Sequence, residues 1–244
     1  LTRTGFVKAL EKNGFKDGEN IDIDFQNAQN DMPTTQSIAS KFASDKKDLI
    51  FAISTPSAQA AFNATKDIPI LITAVSDPVA AGLVKTLEKP GTNVSGTSDF
   101  VSVDKGLELL KIFAPKAKTI GVMYNTSEVN SKVQVDALKE YASKNGFKVV
   151  EKGITTSNEV NQGISSLVGK IDVLYVPTDN LVASSMPIVS KIATENKIPV
   201  IAAESGPVEK GALACQGINY EKLGYKTGEM AVKILNGESV SDMP

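Results

Sequence analysis

Short apolar runs alternate along this chain with longer stretches whose apolar positions recur at helical spacing. Phe6, Ala9 and Leu10 share one face of a helix over Leu1–Asn13, with Gly14 as its stop. Ile21-Asp-Ile-Asp-Phe25 alternates apolar with acidic and predicts a half-exposed strand. Pro33 marks a helix start, and Ile38, Ala39 and Phe42 follow on one face. The continuous run Leu49–Ser54 predicts a parallel strand covered on both sides, after which Thr55 as cap and Pro56 as first residue open a helix. Strands are predicted at Ile70–Ala74 and Val94–Thr97, and a helix at Asp104–Phe113. The rhythm continues with strands at Thr119–Tyr124, Phe147–Lys152, Val173–Val176 and Val200–Ala203. Helices are predicted at Val129–Asn145, Asn158–Val168, Leu181–Asn196 and Glu221–Leu235, the last ended by Asn236-Gly237. Strands alternating with helices in this way predict an α/β protein with doubly wound parallel sheets.

Part of this pattern occurs twice. Asp48-Leu-Ile-Phe-Ala-Ile-Ser-Thr55 returns as Asp172-Val-Leu-Tyr-Val-Pro-Thr-Asp179. Ile68-Pro69, leading to Ser76-Asp77-Pro78-Val79 and Gly82, returns as Ile198-Pro199, leading to Ser205-Gly206-Pro207-Val208 and Gly211. Lys12-Asn-Gly-Phe-Lys16 returns unchanged at Lys144–Lys148. The period is about half the chain, far beyond solenoid repeats of about 20–50 residues, so it predicts two Rossmann-like lobes joined by a hinge rather than an array. Residues 1–96 form the first lobe and 97–217 the second, and 218–244 return to the first. Lys111–Lys118, with Pro115, is the expected first crossing, and Cys215–Tyr220, which mirrors Asn93–Asp99, the return. The second half sets a strand before the helix that ends at Asn145-Gly146, whereas the first half opens directly on the matching helix. A strand, its loop and any secretion signal are therefore expected upstream of Leu1.

Composition removes several classes of function. The formal charge is −2 and Arg3 is the only arginine, so no basic face for nucleic acid is expected. Histidine is absent, which takes away the commonest general base and metal ligand together. The single cysteine, Cys215, lies in an apolar stretch and reads as a buried structural thiol. No catalytic, metal or cofactor site is read from the chain, and no apolar run approaches the ~20 residues of a membrane span.

Open parallel sheets bind ligands beyond the carboxyl ends of their strands, and a cleft between two lobes is a common place for a small molecule. In the first lobe those ends carry Ser54, Thr55, Ser76 and Asp77: hydroxyls and helix-start N–H groups that suit an anion. In the second they carry Tyr124, Asn125, Glu128, Asp179, Asn180 and Glu204, where carboxylates suit a cation. Phe100 and Tyr124 would flank an apolar side chain. A zwitterion, such as an amino acid, matches that division. Helix capping explains the hydroxyls equally well, Asp77 before Pro78 is also a turn former, and Glu128 reads better as a helix-start charge than as a ligand contact.

The run Ile68–Val84, followed by Pro90-Gly-Thr-Asn-Val-Ser-Gly96, resembles substrate-binding proteins of ABC transporters, in the group associated with tryptophan or tyrosine uptake. Asp172–Asn180 and Ile198–Gly211 are similar to the same family. The resemblance implies the type I periplasmic-binding-protein architecture, closure about a hinge, an aromatic amino acid as ligand and a membrane permease as partner. It also implies an extracytoplasmic location, periplasmic or lipid-anchored. A monomer is expected. The effector-binding half of a transcription regulator is the main alternative. An enzyme in the cleft is a third, weakened by the missing histidine and by a lone cysteine that excludes a two-cysteine racemase.

Overall fold

The computed structural model describes the backbone of residues 1–244 and every side chain but that of Asp242. The chain divides into two compact units, Leu1–Phe100 with Asn219–Pro244, and Val101–Ile218. The divisions thus fall at 100/101 and 218/219. Lys111–Lys118, expected as a crossing, instead lies inside the second unit.

The first unit runs α1 (Thr2–Lys12), α2 (Met32–Ser44), β1 (Ile50–Ile53), α3 (Thr55–Ala64), β2 (Ile70–Val75) and β3 (Val94–Ser98). Its parallel sheet has the order β1-β2-β3. The second unit runs α4 (Val103–Phe113), β4 (Thr119–Asn125), α5 (Val129–Asn145), β5 (Lys148–Ile154), α6 (Val160–Leu167) and β6 (Val173–Val176). It continues with α7 (Asn180–Ser184), α8 (Met186–Glu195), β7 (Val200–Ala202), α9 (Gly206–Glu209) and β8 (Ala214–Cys215). Its parallel sheet has the order β5-β4-β6-β7-β8. The chain then returns to the first unit as α10 (Tyr220–Leu235).

The sequence repeat is also a repeat of bonds. Ile50 donates its N–H to Pro69 O and Leu174 to Pro199 O, both at 2.9 Å. Phe15 donates to Leu10 O and Phe147 to Ala142 O, both at 3.0 Å, closing α1 and α5 alike. Leu83 to Pro78 O and Ala212 to Pro207 O form a third matching pair. Equal sequence at equal places produces the same turn chemistry in both units.

Each sheet is covered on two faces, which is why strands such as β2, β6 and β7 are buried and mostly apolar without alternation. In the second unit Met123, Leu174 and Val176 pack with α6, α7 and α8, whereas Ile120, Val122 and Tyr175 pack with α4 and α5. In the first unit Ile70 and Ile72 face α3, whereas Leu71 joins Phe6, Leu10 and Ala231 of α1 and α10. The α1–α10 contact is close: a Cβ on Gly5 would stand 1.9 Å from Glu221 O, and one on Gly224 1.9 Å from Thr2 O. Only glycine lets these two backbones meet.

Three further sequence expectations are corrected. Ile21–Phe25 forms no strand, only an isolated bridge between Asp17 and Ile21. The strand β5 in the second unit pairs with β4, and among the described residues the first sheet holds no counterpart of β4. An alternating segment without a neighbour has no ladder to join, so Ile21 and Ile23 pack on the core from the side. The helix expected over Leu181–Asn196 breaks at Ser185 into α7 and α8. Pro187 has no N–H for the carbonyl of Ala183, and Lys210 Nζ takes that carbonyl instead at 3.0 Å. Finally, the cap of α3 is Ser54, with Thr55 as the first helical residue.

Candidate functional site

In the first unit the strand ends are built from strained backbone. Ser54, between β1 and α3, has φ 84 and ψ 155, a region almost reserved for glycine. No side chain caps α3, so the N–H groups of its first turn are left for another acceptor. Ser57 supplies a second hydroxyl there, 3.4 Å from that of Ser54. Thr55 is buried.

One strand over, β2 carries a bulge. Ile72 pairs with Gly96 and Val75 with Ser98, so Thr73 and Ala74 stand opposite Thr97 alone, and Ala74 has φ 53. Bulges bend a strand and re-aim the side chains beyond them. Gly96 is required here because a Cβ would fall 2.0 Å from Ile72 O. After the bulge, the Ser76 hydroxyl turns inward and donates to Asp99 Oδ1 at 2.9 Å. Tyr220 donates to Asp99 Oδ2 at 3.0 Å. Burial pushes the Asp99 carboxyl above its usual range, and the two hydroxyls oppose that rise. Beneath it Thr73, Thr97 and Thr227 join by hydroxyl contacts of 3.0 and 2.8 Å, seating α10 against the sheet.

Asp77 is half-buried and accepts the N–H groups of Val79 and Ala80, the geometry of a local turn. Phe100 is 66% exposed.

In the second unit the start of α7, the counterpart of α3, is already filled. Asp179 caps α7 through Val182 N–H at 2.8 Å, while its other oxygen accepts Asn125 N–H and the Ser131 hydroxyl, both at 2.6 Å. Glu128 accepts from the side chains of Asn125, Asn130 and Asn180 and from the N–H groups of Asn180 and Leu181. Asp179 is 1% exposed. Burial, and next the Glu128 charge, push its carboxyl up to about 6. These two acids fasten β4, α5 and α7 together. Asn125 and Asn180, both half-buried, hold their place through Glu128.

Tyr124 packs on the α4–α5 side and donates to Glu151 at 3.3 Å. Glu204 is half-buried after β7, near enough to Cys215 to join burial in raising that thiol's pKa. A groove of about 650 Å³ lies between α6 and α8, lined by Val168, Ile188 and Ile192 with Lys191 and Glu195; no strand-end residue borders it.

In the first unit Ser54 stands beside Ser57 at the start of α3, whereas Ser76 turns onto Asp99; in the second, Asn125 binds Asp179 through its N–H, and Asn125 and Asn180 share Glu128. The clean division of hydroxyls from acids fails: Asp99 gives the first unit a buried carboxylate of its own. Asp99, Glu128 and Ser131 were legible only as types. Their partners lie 23, 52 and 48 positions away, and no local spacing announces such pairs.

A tyrosine-binding protein of Clostridioides difficile (strain R20291) is 76% identical over 242 residues, covering 99% of this chain and 70% of that protein. The structure of an ABC domain from Streptococcus pneumoniae in complex with L-Trp superposes with a TM-score of 0.96 at 37% identity, over 100% of this chain and 82% of that one. The leucine-binding protein LivK of Thermotoga maritima, 12% identical with a TM-score of 0.72 over 97% and 77% of the two chains, shares the type I periplasmic-binding-protein fold. The model of the family of ABC transporter substrate binding proteins matches residues 1–244, and the chain belongs to that family.

Proposed function

We propose that this protein is the extracytoplasmic receptor of an ABC importer for an aromatic amino acid, with L-tyrosine and L-tryptophan as the first candidates. The observation that carries the reading is the start of α3: uncapped, strained at Ser54 and flanked by hydroxyls. Uncapped N–H groups at a helix start attract a carboxylate through their partial positive charge. At the matching helix of the second unit, α7, Asp179 and Glu128 already occupy the donors. An α-carboxylate at Ser54–Ser57 therefore supports the choice of ligand class. Asn125, Asn180 and Glu204 are the polar groups of the second unit suited to its ammonium end, and Phe100 and Tyr124 the rings suited to its side chain. The names of the two similar proteins, one tyrosine-binding and one holding L-Trp, support the aromatic class. The family membership argues against the regulator and the cleft enzyme.

Energies permit it. Charge-assisted hydrogen bonds net about 1.5–3 kcal/mol each, and burying an aromatic side chain adds about 4–6 kcal/mol. Association costs at least about 4 kcal/mol, which leaves room for a micromolar complex near −8 kcal/mol. Ligand would favour a closed arrangement by its higher affinity for it. That arrangement would dock on the permease as a monomer, lipid-anchored or free. Titration calorimetry with the twenty amino acids and glucose tests the ligand: heat is expected from Tyr, Trp or Phe. Silence from all three would overturn the aromatic reading.

A further inference from the structure

Both passages between the units are tied to a single carboxylate. The chain leaves the first unit between Phe100 and Val101 and re-enters it between Ile218 and Asn219. Asp99 stands just before the first passage and Tyr220 just after the second. The Tyr220 hydroxyl donates to Asp99 Oδ2 at 3.0 Å across 121 positions of sequence. The other oxygen of Asp99 accepts the hydroxyl of Ser76, at the end of β2, at 2.9 Å. Ser98 strengthens the same junction: its hydroxyl donates to Ser76 O at 3.0 Å and accepts Phe100 N–H at 3.0 Å. Asn219 caps α10 through Lys222 N–H, which fixes Tyr220 as the first helical residue. The carboxylate is 3% exposed and rests on hydroxyl donors.

We propose that Asp99 is a positioning residue for ligand binding, joining the strand end that carries Ser76 to both passages between the units. A buried carboxylate that loses one of few donors is left poorly solvated. Moving Tyr220 therefore costs free energy, and any ligand-driven shift of Ser76 changes that cost. Occupancy of the β2 end and the freedom of the two passages are thereby linked through one group, which biases whichever arrangement the ligand prefers. This rests on the reading of the β2 end as part of the ligand site.

The test is a double-mutant cycle on the Kd for L-tyrosine and L-tryptophan, using Tyr220→Phe, Ser76→Ala and the pair. Tyr220→Phe keeps the ring and removes one hydroxyl, so it preserves packing. It is expected to change the Kd about tenfold, the scale of one charge-assisted bond. The pair is expected to be no weaker than the poorer single variant. Asp99→Asn, whose amide accepts from one hydroxyl and donates to the other, is expected to stay within about threefold of wild type, whereas Asp99→Leu does not. Unchanged affinity in Tyr220→Phe, or effects of Tyr220→Phe and Ser76→Ala that multiply independently, would overturn the proposal. If wild type binds neither amino acid, the ligand reading fails and the junction is judged on ligand-free protein. There, hydrogen exchange at Phe100–Val101 and Ile218–Glu221 should rise together in Tyr220→Phe. Exchange that rises at one passage alone, or at neither, refutes the junction itself.

Discussion

Asp179 offers the most quantitative test, because its carboxyl is held up to about 6 by burial and by the charge of Glu128. An unfolded chain would release that proton near the ordinary value of 3.8. Between these limits the folded protein binds more protons than the unfolded one, so stability must fall as pH rises. The interval is about 2 pH units, and at about 1.36 kcal/mol per unit the loss is about 3 kcal/mol between pH 4 and pH 7. Asp179→Asn removes the titration. Its amide oxygen still caps α7 by accepting Val182 N–H, but its NH2 then faces Asn125 N–H, a donor left unmatched at a cost of about 1–3 kcal/mol that does not vary with pH. Urea unfolding of wild type and variant, every half unit from pH 4 to 7.5, isolates the group by difference. Wild type minus variant should decline by about 3 kcal/mol across the range, with its midpoint between the two pKa values. Glu128→Gln should shrink the decline without abolishing it, since burial contributes first. A flat or rising difference would refute the assignment of Asp179 as a strained internal charge.

Other consequences arise from backbone and packing. Ser54→Gly should raise stability by about 1 kcal/mol in chemical denaturation, as relief of strain of about 1–3 kcal/mol exceeds the entropy of glycine, while weakening ligand binding through loss of the hydroxyl; a loss of stability would mean that φ 84 is unstrained. Gly224→Ala places a methyl 1.9 Å from Thr2 O and should cost at least about 3 kcal/mol by forcing α1 and α10 apart; a neutral melting temperature would contradict that contact. Cys215 should react with a disulfide reagent at pH 8 more slowly than free cysteine, since burial and Glu204 both hold its thiol protonated; a rate above that of free cysteine would rule this out.

Periodicity alone determined a good deal of this molecule. Val129–Asn145 and Val173–Val176 have the same bounds in the sequence pattern and in the structure. The duplicated stretches announced duplicated turns, because residues such as Pro69 and Pro199 impose the same local bonding wherever they stand. These are short-range effects: period, proline and glycine act within a few residues. What failed lay at longer range. The alternation of Ile21–Phe25 is a valid strand signal, but a strand exists only with a neighbour, and among the described residues the first sheet supplies none. The break at Ser185 became stable because Lys210 reached the carbonyl that Pro187 released.

The polar residues show the same boundary. Strand ends told where ligand groups belong, since parallel sheets bind there whatever their sequence. Which of those groups are engaged within the protein was decided by folding. Parallel register brought Asn125 beneath Asp179 and carried Glu128 to the start of α7, so two acids became internal fastenings. The bulge in β2 turned Ser76 onto Asp99, and the return of α10 added Tyr220. The sequence by itself determined most of the elements, the duplication and the class of groups at the strand ends. Tertiary structure alone decided their pairings, because a hydrogen bond depends on distances in space that chain separation does not encode.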